Sequence, residues 1–164
     1  MTVTLKKIKT EKEINELFQL VKIIWPEVFT SIIGKEQVDY MLKHYQSVEG
    51  IKQEIEQGVA YFLVQLQGKS IGYVAYEVQE DKLFISKLYL LASQRGKGLS
   101  RELFDWLEEI ARVAKKEKFH LHVNRYNEKA IAVYQHLGFE IVEQVDSVLG
   151  EEFLLEDYYM EKTL

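Results

Sequence analysis

Beyond Gly58 the apolar residues change period, and the order of the segments that follow restricts the chain to few architectures. Two strand-like runs, Val59 to Gln67 and Ser70 to Val78, are joined at Gly68-Lys69, a hairpin signal. A third run, Lys82 to Leu91, follows a turn at Glu80-Asp81. From Leu99 the positions Leu103, Leu107, Ile110 and Ala114 fall on one helix face, with Phe104 and Trp106 beside them. Phe119 to Val123 alternates as a short strand. Asn127 to Leu137 reads as a helix, with Asn127 as N-cap and Gly138 just past its end. Phe139 to Val145 and Phe153 to Met160 are two closing strands. Strand–helix–strand units require crossovers, and crossovers create parallel neighbours, so the sheet is expected to be mixed with helices packed on it.

The first third is helical. Val3 to Ile8 alternates enough for one strand. Ile14, Leu17, Phe18, Val21, Ile24 and Trp25 then keep helical spacing until Pro26, which is expected to end that helix. A second helical region, roughly Lys35 to Gln57, is expected to break near Ser47 to Gly50 and to be capped by Gly58. The predicted order is β-α-α-β-β-β-α-β-α-β-β, an α/β fold with a mixed sheet. No repeat, linker or low-complexity tract divides it, so residues 1–164 are read as one domain. The absence of cysteine excludes disulfides, thiolate nucleophiles and cysteine metal sites. No stretch approaches the ~20 apolar residues of a membrane span, and the N-terminus has no apolar leader, so a cytoplasmic protein without a membrane partner is expected. The net charge of -5 disfavours nucleic acid as a partner.

Against that acidic background one stretch is basic. S-Q-R-G-K-G-L-S-R-E, from Ser93 to Glu102, places Arg95, Lys97 and Arg101 around Gly96 and Gly98 at the start of a helix. The first amides of a helix lack backbone partners and lie at the positive end of its dipole. Glycines let the chain approach a ligand closely. The combination is a phosphate site in physical terms, or simply a tight turn with solvated cations. It matches neither a Walker loop, which needs G-K-[ST] after four spacers, nor a G-x-G-x-x-G dinucleotide loop, because Arg101 takes the third glycine position.

The company of this loop narrows the reading. K-L-Y-L precedes it, and N-E-K-A-I-A-V-Y-Q-H-L-G-F, from Asn127 to Phe139, follows. Together they resemble the GNAT superfamily of acetyl-CoA-dependent N-acetyltransferases, whose pattern is [QR]-x-x-G-x-[GA] followed by N-x-x-A-x-x-x-Y-x-x-x-G-F. Arg95, Gly98, Asn127, Ala130, Tyr134, Gly138 and Phe139 match, and the element order matches over nearly the whole chain. Ser100 departs from the pattern, standing where Gly or Ala is usual.

The resemblance implies a GNAT-like acyl-CoA N-acyltransferase fold and acetyl-CoA as co-substrate, with no metal. It places the pyrophosphate on the loop amides and side chains of Arg95, Gly96, Lys97, Gly98, Leu99, Ser100 and Arg101, with Asn127 and Tyr134 beside the cofactor. The pantetheine arm would pair with the backbone of Leu88 and Leu90 like an added strand. A bulge near Leu90 would open a wedge for the thioester, and the Leu90 N–H would polarise the acetyl carbonyl. An amine would attack the thioester directly, with Tyr134 as acid or hydrogen-bond donor to the leaving sulfur. Relatives often carry a Glu base on the strand before the loop, where this chain has Phe84 and Ser86. Glu77 on the preceding strand, or a water chain, is left for that role. Homodimers are common in such relatives.

The acceptor amine is less constrained. Trp25, Glu27 and Phe29 in W-P-E-V-F set two aromatics around a carboxylate, which suits an ammonium as well as it suits a packed helix end. His120 and His122 share a strand face without a third ligand, so metal binding is not expected, and His122 is a candidate for the acceptor channel. From Glu140 to Glu161 there are eight acids and no Lys or Arg, a charge that favours a polycationic acceptor. The C-terminal sequence and W-x-x-x-F also look somewhat like bacterial polyamine acetyltransferases of the PaiA type. A small amine such as a polyamine is therefore the first expectation. A protein N-terminus or lysine is the alternative acceptor, and a CoA-binding module without chemistry is the non-enzymatic alternative.

Overall fold

The computed structural model describes residues 2–164. Strands β1 (Thr4–Lys7), β2 (Ala60–Leu66), β3 (Lys69–Val78), β4 (Leu83–Leu90), β5 (Lys118–Asn124), β6 (Glu140–Gly150) and β7 (Phe153–Thr163) form one sheet in the spatial order β1-β2-β3-β4-β5-β7-β6. Helices α1 (Glu11–Ile33), α2 (Lys35–His44), α3 (Val48–Glu56), α4 (Leu99–Val113) and α5 (Glu128–His136) cover its faces. Only β4 and β5 pair in parallel, as the β4–α4–β5 crossover requires. β7 inserts antiparallel between β5 and β6, so the second crossover yields no parallel neighbour.

The sheet separates two cores. On one face Leu83, Ile85 and Phe119 pack against Leu99, Leu103 and Leu107 of α4. On the other Tyr61, Leu63 and Tyr73 pack against Leu17, Val21 and Ile24 of α1. A chain of buried hydrogen bonds ties α1–α3 to the sheet. The Trp25 indole donates to the Tyr73 hydroxyl at 2.7 Å, which donates to Gln46 Oε1 at 2.8 Å; the Gln46 amide donates to the Tyr61 hydroxyl at 3.0 Å. Tyr61 in turn donates to Glu54. Truncating Gln46 would leave the buried Tyr73 O–H without its acceptor, at about 1–3 kcal/mol for an unsatisfied donor, while Tyr61 keeps its bond to Glu54.

Three expectations need correction. Pro26 does not end α1, which continues to Ile33 and stops at Gly34, whose φ is 84°. The missing N–H of Pro26 frees the carbonyl of Lys22, and both residues are exposed, so water can take its place while Ile24 and Trp25 hold the buried face. The second helical region is two helices, α2 and α3, parted at 45–47, with Ser47 Oγ capping the amide of Gly50 at 3.0 Å. The β2–β3 turn is Gln67-Gly68, one residue earlier than read, with φ of 51° and 79° at its two central residues.

Candidate active site

Parallel pairing between β4 and β5 covers only Leu83–Phe119, Phe84–His120 and Ile85–Leu121. It stops where β4 gains an extra residue: Ile85 faces Tyr76 and Lys87 faces Ala75, so Ser86 is a β-bulge. A bulge bends its strand, and here it turns β4 away from β5. The bulge therefore lies at Ser86, not near Leu90 as expected. Placing it four residues upstream leaves the whole end of β4 free of β5. The gap is a cavity of about 590 Å³ between Leu88, Tyr89 and Leu90 on one side and His122, Val123 and Asn124 on the other.

Leu91 donates its N–H to Ile71 of β3 at 2.8 Å. Because strand residues alternate, Leu90 turns its own N–H and carbonyl away from β3, toward the gap. That carbonyl has lost its sheet partner and accepts instead from Arg95 Nε at 3.3 Å and Nη2 at 3.2 Å. Gly72 faces Leu90 across the β3–β4 ladder, and a Cβ there would lie 2.3 Å from the Tyr89 carbonyl oxygen. Only glycine lets β3 approach so closely at this position.

The loop after β4 is shaped as a cradle. Gly96 and Gly98 take φ of 75° and 78°, with nothing within 4 Å of a notional Cβ, so backbone conformation, not crowding, favours glycine. Gly98 is the N-cap of α4 and supplies no side-chain cap, leaving the amides of Leu99, Ser100 and Arg101 for an outside acceptor. Leu99 itself is buried in the core and can offer a ligand only its amide. Ser100 lines the cavity and also an adjoining groove of about 410 Å³ that runs past Arg101 and Val133. Lys97 contacts Gln94 at 3.3 Å. A diphosphate fits this set of free amides and three cations; a metal ion does not.

Tyr134 on α5 lines the cavity opposite Leu90. Its ring sits edge-on to Phe104 at 6.2 Å and 5.8 Å from Phe139, and burial pushes its hydroxyl up to about 12. Asn127 caps α5 through Oδ1 to the Ala130 amide at 3.3 Å. Asn124 shapes the preceding turn, its Oδ1 accepting from the Tyr126 N–H at 2.9 Å and its carbonyl from Asn127 at 2.9 Å.

The remaining sequence candidates divide. Glu27, Phe29 and His122 line the cavity, and Glu27 accepts the Ala92 N–H at 2.9 Å, fastening α1 to the loop. Trp25 does not line it. This ring is buried in the α1 core and packs behind Phe29 at 4.6 Å, so it supports the wall without forming it. Glu77 does not line it either. It pairs with Phe84 below the bulge and accepts from Gln79 at 2.8 Å. The sequence reading missed Tyr89, which alternates with Leu88 and Leu90 along β4 and packs 5.7 Å from Phe29. It also missed the His120 contacts: His122 Nε2 lies 3.0 Å from His120 Nε2, and His120 Nδ1 lies 2.8 Å from Glu161. Among the described residues no group of three His, Asp or Glu is arranged to hold a metal ion. No helix there is long and apolar enough to cross a membrane.

A model of the acetyltransferase (GNAT) family matches residues 16–139, most of the chain. The chain belongs to this family. In class it is an acetyl-CoA-dependent N-acetyltransferase. An uncharacterised N-acetyltransferase of Escherichia coli K12, YjgM, is 33% identical over 97 residues, which span 57% of this chain and 56% of that protein. Thus the chain spans little more than half of that relative's length. Among solved structures, the PaiA N-acetyltransferase of Thermoplasma acidophilum, in complex with coenzyme A, superposes with a TM-score of 0.83 at 19% identity, covering 100% of both chains. A chimera of the spermidine N-acetyltransferase SpeG of Vibrio cholerae superposes with a TM-score of 0.68 at 19% identity, covering 99% of this chain and 96% of the other. Both share the fold of the GNAT acetyltransferases.

Proposed function

We propose that the protein transfers acetyl from acetyl-CoA to a primary amine of a polyamine. The pyrophosphate lies on the amides of 99–101 with Arg95, Lys97 and Arg101 around it, and the pantetheine arm follows Leu88 and Leu90. The Leu90 N–H donates to the acetyl oxygen as it becomes an oxyanion, a contact worth roughly 3 kcal/mol in comparable sites. The free amine attacks the thioester carbon, the C–S electron pair passes to sulfur, and the Tyr134 hydroxyl donates a hydrogen bond to the departing thiolate.

The observation that carries the polyamine reading is the charge on the β6–β7 hairpin. Of its acids, Asp146 and Glu156 are paired with Arg125, and Glu161 with Lys118 and His120. Glu140, Glu143, Glu151, Glu152 and Asp157 form no ion pair among the described residues. The hairpin tip docks on α2, where Phe153 packs 5.2 Å from Tyr40 and Gln37 donates to the Leu154 carbonyl at 2.8 Å. Of these unpaired acids, Glu151 and Glu152 stand at the tip beside α2, and Glu27 and Glu128 line the cavity itself. Such a field concentrates polycations and weakens as salt shortens the Debye length to ~8 Å at physiological ionic strength.

The test is release of coenzyme A measured with spermidine, spermine, a monoamine, and peptides offering an N-terminus or a lysine. Spermidine and spermine are expected to give the highest kcat/KM, falling steeply between 20 and 300 mM salt (roughly, from screening of several charges). Equal turnover of the monoamine, or preference for a peptide, refutes the acceptor.

A further inference from the structure

We infer that His122 is the general base that takes the proton from the attacking amine, and that His120 and Glu161 are positioning residues that fix its tautomer. The assignment rests on the acetyltransferase reading above. His122 is the one imidazole lining the cavity, and it stands on β5 immediately past Leu121, where pairing with β4 ends. An acceptor reaching the thioester between Leu90 and Tyr134 therefore passes this ring. The side chains of His120, His122 and Asn124 project from the same sheet face, toward α1–α3.

The hydrogen bonds determine where the protons are. Glu161 stays ionised: burial raises its carboxyl, but the hydrogen bond from His120 and the charge of Lys118 outweigh that and hold it below its ordinary value. A carboxylate only accepts, so His120 Nδ1 carries the proton of the 2.8 Å contact. In the neutral ring His120 Nε2 is then a lone pair, and the 3.0 Å contact to His122 Nε2 requires the proton on His122. This leaves His122 Nδ1 as a lone pair with no hydrogen-bond partner among the described residues. The ring is stacked on Tyr159 at 3.7 Å and 10° and flanked by Phe84 at 4.8 Å, contacts that favour this orientation.

Desolvation of the ring comes first, then repulsion from His120 once that ring is itself protonated, then from Lys87 and Lys82; together these push the His122 imidazole down to about 4, so it is neutral in the working range. Lys87 is itself pushed below its ordinary value by burial, opposed by Glu54. A base this weak suits a proton lost as the C–N bond forms, when the amine nitrogen becomes positively charged and strongly acidic. The acceptor enters as free amine, its nitrogen bonds to the acetyl carbon, and one N–H proton passes to His122 Nδ1. The C–S bond electrons leave on sulfur. The imidazolium then donates through Nε2–H to His120, whose Nδ1–H faces the Glu161 charge, and returns its proton to water after the amide departs.

The test begins with the wild-type amine panel; no turnover of any amine overturns both the function and this base. With turnover in hand, His122→Gly is expected to lose at least 100-fold in kcat while coenzyme A binding by calorimetry stays within twofold, and added imidazole is expected to restore at least tenfold. His122→Gln, which keeps bulk at the site, is expected to show the same loss without rescue. Unchanged kcat in either variant, or a loss in His122→Gly that imidazole does not repair, removes His122 as base. For the positioning residues, ¹H–¹⁵N correlation of the histidine side chains reads the tautomers without any activity. The expected wild-type pattern is Nε2–H for His122 and Nδ1–H for His120, with the His122 preference lost in Glu161→Gln. A wild-type His122 protonated at Nδ1 overturns the assignment.

Discussion

Replacing Tyr134 by Phe separates two roles that a tyrosine at a departing sulfur can play. Burial pushes its hydroxyl up to about 12, whereas a thiol titrates near ~8.5. Full proton transfer from Tyr134 to the thiolate is then uphill by roughly 5 kcal/mol, at about 1.36 kcal/mol per pKa unit. The hydroxyl must keep its proton and act as a hydrogen-bond donor to developing charge, a contact worth about 1.5–3 kcal/mol. Its loss should lower kcat by roughly 10- to 150-fold. Phe preserves the ring contacts with Phe104 and Phe139, so the melting temperature and coenzyme A affinity should be nearly unchanged. The pH profile gives the sharper reading. A group with so high a pKa does not titrate between pH 6 and 10 (roughly the range of a steady-state assay), so wild type and Tyr134→Phe should share one profile shape there. A variant with unaltered kcat would remove Tyr134 from the reaction. A wild-type alkaline limb near pH 9 that disappears in the variant would show a true acid and refute the donor argument.

Two further predictions concern the cradle and the acid hairpin. Gly98→Ala must hold a left-handed φ of 78° at a cost of about 1–2 kcal/mol, and its methyl enters the open space proposed for the diphosphate; calorimetry should show coenzyme A binding weakened at least tenfold (roughly), more than the fold itself loses by thermal denaturation. Asp157 is raised to about 6, first by burial and then by Asp146, with Arg125 opposing, against an ordinary value of 3.8. The folded state therefore binds this proton more tightly than the unfolded chain, and stability falls as pH rises from about 3.8 through about 6. Asp157→Asn should melt above wild type at pH 7.5 (about one unit beyond that window) and lose the advantage near pH 4, and an equal difference at both pH values would refute the burial argument.

Legibility in the sequence followed the range of the interactions involved. The loop is local: R-G-K-G-L-S-R sets two glycines, a helix start and three cations within seven residues, and the structure gives both glycines a left-handed φ and the helix no side-chain cap. Capping is local too, as Asn127 and Ser47 show. Pro26 misled because a missing N–H ends a helix only where its orphaned carbonyl has no substitute, and burial further along decides that. The bulge was misplaced because it is a property of two strands: nothing in K-L-F-I-S-K-L-Y-L alone says that Ala75 and Tyr76 face Lys87 and Ile85. Trp25 was expected at the acceptor from W-P-E-V-F and Glu77 as the base left by Phe84 and Ser86, and only the three-dimensional packing and register show one behind the wall and the other below the bulge.

The same distinction explains why the donor half of the site is simpler than the acceptor half. On the proposed reading coenzyme A would be held by backbone: the amides at the start of α4 and the free edge of β4, both created by the Ser86 bulge and the glycine loop within 16 consecutive residues. Side chains there can vary as long as Ser100 remains small, which is why its departure from the usual Gly or Ala leaves the cradle open. The acceptor half proposed here draws on α1, β5, β7 and the β6–β7 hairpin, which lie far apart in the chain and are tied together through pairs such as His120–Glu161 and Gln37–Leu154. No strand carboxylate stands at the mouth of the gap, since Phe84 and Ser86 occupy β4 there. The proton acceptor proposed above comes instead from the opposite strand: β5 offers His122, whose lone pair would be oriented by Glu161, which β7 places opposite His120. Slipping that β5–β7 register by one residue would turn Glu161 to the other face of the sheet and leave the two imidazoles without a defined tautomer.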